Sequence, residues 1–316
     1  MKSEFEFIQN IKGKYSLNKI GDDCAVLPKD DKTDLVITAD MLVEDIDFRL
    51  EWTTPEFLGH KALAVSLSDI AAMGAEPKWG MLSIAVPETL WTDDFVERLY
   101  DGWHNLAAEF SVELIGGDVS RSLGKLVIDS VAGGEVGGCE AVFRSTARPG
   151  ETIFVSGTLG AAAGGLRLLE DGERFGENLT EVDKSLILRQ LQPTPRVDLA
   201  KILQSRNLVS SMIDISDGFS SDLTRVCEAS GLGAIVNNIP ADGDLLARFS
   251  SAEAMPLALH GGEDFELLFT VPAEHLSEVR RLPVRAVGIT SAKVGVIELM
   301  DGNRRSILEA KGYRHF

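Results

Sequence analysis

The stretch that decides the fold is Lys61-Ala62-Leu63-Ala64-Val65-Ser66-Leu67-Ser68-Asp69-Ile70-Ala71-Ala72-Met73-Gly74-Ala75. It continues a helix that Thr54-Pro55-Glu56 opens with a cap, a proline at the first helical position and a first-turn acid, and it stops before Gly74. Helical spacing puts Leu58, Ala62, Val65 and Asp69 on one stripe, so a carboxylate rides an apolar face near the negative end of the helix dipole. Burying that charge alone is costly, and either a lysine or a metal ion would compensate it.

Outward from this helix the pattern alternates. A short β-branched run at 34–40 reads as a strand ending in Asp40, and 79–86 as a second strand. A helix follows at 92–110, then strands at 113–115 and 126–136. The Pro- and Gly-punctuated stretch 144–150 is the expected boundary, with a new strand at 152–156. The second half supplies helices near 161–170, 196–204 and 221–230 and strands near 212–215, 265–271 and 294–299. We expect a mixed α/β fold in two domains, residues 1–145 and 146–316.

Composition excludes several classes. With 44% apolar and 25% charged residues over 316 positions, the chain reads as globular, not disordered, collagenous or membrane-spanning. Acidic residues outnumber basic ones 49 to 31, a formal charge of −18, which repels nucleic acid and anionic membranes. Met1-Lys2-Ser3-Glu4-Phe5-Glu6 has no apolar leader core, and no later run approaches the ~18 apolar residues of a membrane helix, so a cytoplasmic location is expected. Cys24, Cys139 and Cys227 are odd in number and far apart, which argues against disulfides and thiolate zinc.

The aspartates carry the chemistry. Asp22 and Asp23 follow Gly21, Asp40 ends a strand, Asp118 follows Gly116-Gly117, and Asp214 and Asp217 flank Ser216. Ligands of open α/β folds collect at strand ends, so these carboxylates could share one crevice with Asp69, although an acidic protein also simply carries many aspartates in turns. Oxygen ligands without nearby His or Cys favour Mg²⁺ or Ca²⁺ over zinc, and a phosphate substrate entering an acidic crevice would need such cations. No P-loop and no His-Arg-Asp with Asp-Phe-Gly set is present. Gly157-Thr158-Leu159-Gly160 leads from strand to helix and could cradle an anion or serve structure alone.

Taken in order, Gly21-Asp22-Asp23-Cys24-Ala25, Thr38-Ala39-Asp40-Met41-Leu42-Val43, the 61–75 helix, Ile115-Gly116-Gly117-Asp118, Asp214-Ile215-Ser216-Asp217-Gly218, Gly261-Gly262-Glu263-Asp264-Phe265-Glu266 and the terminal Gly312-Tyr313-Arg314-His315-Phe316 resemble the thiamine-monophosphate kinases of the aminoimidazole-ribonucleotide-synthetase-like superfamily. The resemblance implies a two-domain fold, a homodimer that pairs its N-terminal sheets, ATP near that interface and a C-terminal domain over the cleft. The implied reaction moves the γ-phosphoryl of ATP onto thiamine monophosphate. Asp23, Thr38, Asp40, Asp69, Asp118 and Asp214 match Mg²⁺ ligands, with Asp217 at a further cation. Tyr100, Gly117, Asp118, Arg144 and Ser216 fall where the family contacts ATP, and Asp47, Glu263 and Tyr313 where it contacts thiamine monophosphate.

Such a transfer asks for alignment and charge stabilisation from several Mg²⁺ ions, not for a strong base, because the acceptor phosphate is already ionised. Direct transfer without a phosphoenzyme is therefore expected. Arg144 could pair with the triphosphate, or form a surface ion pair. Tyr313 could stack on the cationic ring whose charge Glu263 offsets, or plug the chain end. Two positions depart from the family pattern: Asp47 stands where a His is usual, and Ala39 where a hydroxyl residue is common. Two rival readings remain at this point, another ATP-using enzyme of the superfamily and a silent cation-binding dimer that melts with cation dependence but ignores nucleotide.

Overall fold

The computed structural model describes residues 4–315. Met1–Ser3 of the leader reading and Phe316 of the terminal motif lie outside that range. The first half runs through α1 (Glu4–Tyr15), β1 (Ala25–Pro28), β2 (Thr33–Val43), α2 (Pro55–Ala72), β3 (Glu76–Pro87), α3 (Asp93–Glu109), β4 (Glu113–Gly116), β5 (Val119–Ser122) and β6 (Val127–Gly137). The second half holds β7 (Thr152–Val155), α4 (Ala161–Glu170), α5 (Glu181–Leu191), α6 (Val197–Ser205), β8 (Ser211–Asp214), α7 (Phe219–Ser230) and β9 (Gly233–Val236). It ends with α8 (Gly243–Arg248), α9 (Ser251–His260), β10 (Leu267–Val271), α10 (Leu276–Val279), β11 (Arg285–Ser291), β12 (Ile297–Asp301) and β13 (Arg304–Ile307).

Among the described residues the strands form two sheets. The first has the order β1-β2-β6-β3-β4, with β5 also on β3. Its long β2, β6 and β3 pair antiparallel, Thr33 opposite Gly137 through Val43 opposite Val127, while β4 and β5 run parallel to β3. The second sheet, β13-β12-β9-β11-β7-β10-β8, is antiparallel except for β12 on β9. The helix–strand alternation of the sequence therefore builds mixed sheets.

Helix α2 lies between them. Thr54 caps it by accepting from the Phe57 amide, and residues 58–68 and 70–72 are buried. The sequence reading expected one apolar stripe; the helix is instead apolar nearly all round, because both of its sides meet a sheet. Its close neighbour is α3, and glycines allow the approach: a Cβ on Gly59 would sit 1.8 Å from the Leu99 carbonyl oxygen, and one on Gly102 1.9 Å from that of Glu56.

The strand period divides the second sheet between two cores. Phe154, Met212, Leu267 and Phe269 join α2, α3 and the inner face of the first sheet, whereas the alternating Ile153, Val155, Ile213 and Leu268 pack with α4, α5, α7 and α9. Layers thus run sheet, helices, sheet, helices. The outer face of the first sheet carries exposed Met41 and Met81.

Candidate active site: a carboxylate cluster at the joint of two sheets

Three elements deliver one carboxylate each. Asp23 comes from the turn before β1, Asp69 from the last turn of α2 and Asp214 from the end of β8, and their ligand oxygens all lie within 4.8 Å of one another. Hydroxyls hold two of them: Thr38 donates to Asp69 at 2.5 Å and Ser68 to Asp214 at 2.6 Å. Asp40, two residues beyond Thr38 and on the same face of β2, accepts from Ser66 at 2.8 Å. Ala39 is exposed on the opposite face, so its side chain does not enter the cluster.

Crowding sets the electrostatics. Burial first, and then the charges of Asp40, Asp214 and Asp23, raise Asp69 well above the ordinary carboxylate value. Burial likewise raises Asp23, against the pull of Arg144, and lifts Asp214. Burial with Asp214 and Asp129 pushes Asp40 up to about 6 despite the Ser66 bond. Burial pulls Arg144 down, but Asp23, Asp22, Asp214 and Asp69 outweigh it and its pKa rises.

The compensating lysine that the sequence left open does not occur. Among the described residues no Lys or Arg forms an ion pair with Asp69. Arg144 pairs with Asp22 at 3.3 Å and with Asp23, its side chain 15% exposed, so it is not a surface ion pair. Yet the second oxygen of Asp23 is buried with no hydrogen-bond partner. An orphaned carboxylate oxygen among three carboxylates and a hydroxyl, without nitrogen or sulfur ligands, suits a small hard cation such as Mg²⁺.

The remaining sequence candidates fall into separate places. Asp47, Ser216, Asp217, Glu263 and Tyr313 line, together with Asp40, a cavity of about 540 Å³. In it Asp47 accepts from the Val43 amide at 2.8 Å; burial raises its pKa, and His315 and Lys61 oppose the rise. Tyr313 is 46% exposed, edge-on to His315, its amide bonded to the Asp217 carbonyl, so it faces the cavity instead of plugging the chain end. Asp217 is not a bare carboxylate: Arg225 of α7 grips it together with Asp222. Arg144 and Arg225 also line a second cavity, of about 760 Å³, with Lys12, Lys19 and Asp22.

Gly117 and Asp118 lie at the exposed β4–β5 junction, with β6 and β3 between them and β2, and Tyr100 packs on the core side of α3; none of these joins the three-carboxylate cluster within one chain. The 157–160 turn holds an anion of the chain's own. Asp264 accepts from the amides of Gly160 at 2.6 Å and Ala162 at 3.2 Å, occupying the start of α4. Cys24 and Cys227 are buried with raised thiol pKa values, and all three cysteines are free.

Sequence reasoning missed Ser66, Ser68, Arg225 and Lys61 as site residues. Ser66, Ser68 and Asp69 stand out, with Lys61, as polar residues in the apolar stretch 61–72 of α2. Arg225 follows Asp217 by eight positions, a weak signal until α7 lets its guanidinium reach Asp222 and, just before the helix, Asp217.

Two family models match: AIR synthase related protein, N-terminal domain, over residues 21–136, and its C-terminal domain over residues 148–302. The thiamine-monophosphate kinase of Bacillus subtilis is 35% identical over 306 residues, covering 94% of this chain and 93% of that protein. That of Escherichia coli K12 is 37% identical over 308 residues, covering 94% and 91%. A solved structure, AaThiL complexed with AMPPCP and TMP, superposes with a TM-score of 0.89 at 34% identity, over 99% of this chain and 97% of that one. With its two-domain mixed α/β fold of the AIR-synthase-related type, the chain belongs to the thiamine-monophosphate kinase family.

Proposed function

We propose that this protein transfers the γ-phosphoryl group of ATP to thiamine monophosphate, releasing ADP and thiamine diphosphate. The observation that carries the reading is the Asp23, Asp69 and Asp214 cluster with its orphaned Asp23 oxygen, whose neighbours Asp22 and Asp40 line a cation-lined cavity and an acidic one respectively. The relative complexed with AMPPCP and TMP supports it.

In this reading Asp23, Thr38, Asp40, Asp69 and Asp214 hold Mg²⁺ ions, with Asp118 and Asp217 completing the set. Bound there, the ions offset charge on the transferring phosphoryl oxygens. Arg144, fixed by Asp22 and Asp23, steadies the triphosphate with its free guanidinium edge. Ser216, Tyr100 and Gly117 complete the ATP contacts. On the acceptor side Tyr313 stacks on the cationic ring, Glu263 faces its charge, and Asp47 accepts a hydrogen bond where a histidine would have donated one. An acceptor phosphate oxygen attacks the γ-phosphorus, the bond to the β-bridging oxygen breaks, and ADP departs. No side chain takes a proton, because the attacking oxygen carries none at neutral pH.

The same reading divides the chain into an N-terminal unit through residue 145 and a C-terminal unit from 146, working in the cytoplasm as a homodimer. Support for the dimer comes from the outer face of the first sheet, where Met41 is 60% and Met81 36% exposed. The test is ADP release with ATP and Mg²⁺ in the presence of thiamine monophosphate, thiamine or no acceptor, with the product identified by mass. ADP and thiamine diphosphate with the monophosphate alone is the expected result; ADP formed equally without acceptor would overturn the reading.

A further inference from the structure

Lys61 is a lysine where nothing about folding asks for one. It sits inside α2, in a run of residues buried from 58 to 68, and its side chain is 5% exposed. Removing an ammonium from water is expensive, and an apolar residue of similar volume at such a position is commonly neutral or stabilising. The surrounding geometry gives the charge one address. Nζ lies 2.6 Å from one carboxylate oxygen of Glu263, while Gln190 of α5 donates to the other oxygen from an equally buried amide.

Glu263 itself is held in an unusual pose. Its backbone has φ +66°, in the left-handed region, and its amide donates to the Ser216 carbonyl at 2.8 Å. The following acids pin the loop from behind: Asp264 on the start of α4, and buried Glu266 on Arg189, Arg196 and Ser156. The loop therefore presents one carboxylate to the 540 Å³ cavity, whose wall also carries Asp40, Asp47 and Asp217. A fixed counter-charge keeps such a carboxylate aimed. Lys61 supplies it from the side away from the cavity, which it does not itself line.

We propose that Lys61 is a positioning residue for acceptor recognition: through its buried ion pair it holds the Glu263 carboxylate aimed at the cationic ring of the acceptor. The inference rests on the proposed reaction. Its test compares wild type with Lys61→Met, Lys61→Arg and Gln190→Leu, using thiamine monophosphate and an isosteric monophosphate whose ring is uncharged. In Lys61→Met the KM for thiamine monophosphate rises about tenfold, with kcat and the KM for ATP within about twofold of wild type. The preference for the charged over the uncharged acceptor shrinks in parallel, and Lys61→Arg restores most of it.

An unchanged acceptor KM, or a loss that falls equally on kcat, on ATP and on both acceptors, overturns the role of Lys61 while leaving the reaction standing. Absence of transfer by the wild-type chain overturns the reaction and this role together. Should Lys61→Met not fold, Gln190→Leu decides: it must raise the acceptor KM in the same direction with kcat retained, and an unaltered KM there refutes the inference.

Discussion

Replacing Asp69 by Asn exposes the opposing demands on the carboxylate cluster. The three ligand oxygens lie within 4.8 Å, so each fully ionised pair costs about 3 kcal/mol at an effective dielectric of about 20. Asp69 faces two such neighbours and no ion-paired cation. Burial and neighbouring carboxylate charges raise the pKa of all three, and protonation so favoured would relieve part of this repulsion, so neutralising Asp69 is expected to recover only part of it. Asn keeps an oxygen to accept the Thr38 hydroxyl. A gain of about 1–3 kcal/mol follows in the absence of divalent cation, and at about 2–4 °C per kcal/mol the melting temperature rises by several degrees. Saturating Mg²⁺ acts the other way. At one hundred times its Kd it stabilises wild type by about 2.7 kcal/mol, an increment that Asp69→Asn forgoes. The two melting curves should therefore exchange order between chelator and Mg²⁺, and turnover in the variant should fall by orders of magnitude. Thermal melts in both buffers with the ADP-release assay make the measurement. A variant that melts lower than wild type in chelator and still gains fully from Mg²⁺ would refute both the repulsion and the ligand assignment.

Arg144→Ala should do the reverse in chelator, lowering stability by about 3 kcal/mol, because Asp22 and Asp23 lose their buried counter-charge; a rise in melting temperature would contradict this. Burial pushes Asp264 up to about 7, and a carboxyl raised in the folded state contributes stability that is complete below the unfolded pKa of 3.8 and lost as pH climbs through 7. Between pH 5 and 7 that contribution declines by roughly 2 kcal/mol, and a denaturant series should find this slope missing in Asp264→Asn. A Cβ at Gly312 would sit 2.2 Å from the Asp217 carbonyl oxygen, so Gly312→Ala should dislodge the tail that carries Tyr313. The acceptor KM then rises by about tenfold with the KM for ATP unchanged, which steady-state kinetics reads directly.

Local signals carried the central helix almost to the residue. Thr54, Pro55 and Gly74 are chemical punctuation, and they bound α2 whatever packs around it. The strand holding Thr38 and Asp40 was equally plain as a β-branched run at 34–40, although it extends over 33–43. Short strands such as β9, of four residues, and helices whose polar face dominates, such as α5, offer too little periodicity to stand out. For the site, residue type told that Asp23, Asp69 and Asp214 matter, but not that Asp118 and Tyr100 would lie apart from them within one chain. Pairings such as Ser68 with Asp214, 146 positions away, exist only once both sheets clasp α2. The expectation that a lysine might neutralise Asp69 had the right chemistry at the wrong acid: the buried lysine of that helix serves Glu263.

The sandwiching of α2 has a consequence for cooperativity. A single apolar cluster runs from Leu82 and Ile128 of one sheet through the helix to Phe154 and Phe269 of the other, so the two halves share this core, while the second core, against α4, α5, α7 and α9, belongs to the second half. Expressed alone, residues 1–145 would leave one flank of α2 wet, and residues 146–316 would bare a face of aromatic side chains. The shared core is therefore expected to couple the unfolding of the two halves. Local opening is expected first at the margins, where none of the residues of α1 with described burial is fully buried and the last residues lie across α7, and last at the floor that bears Asp69.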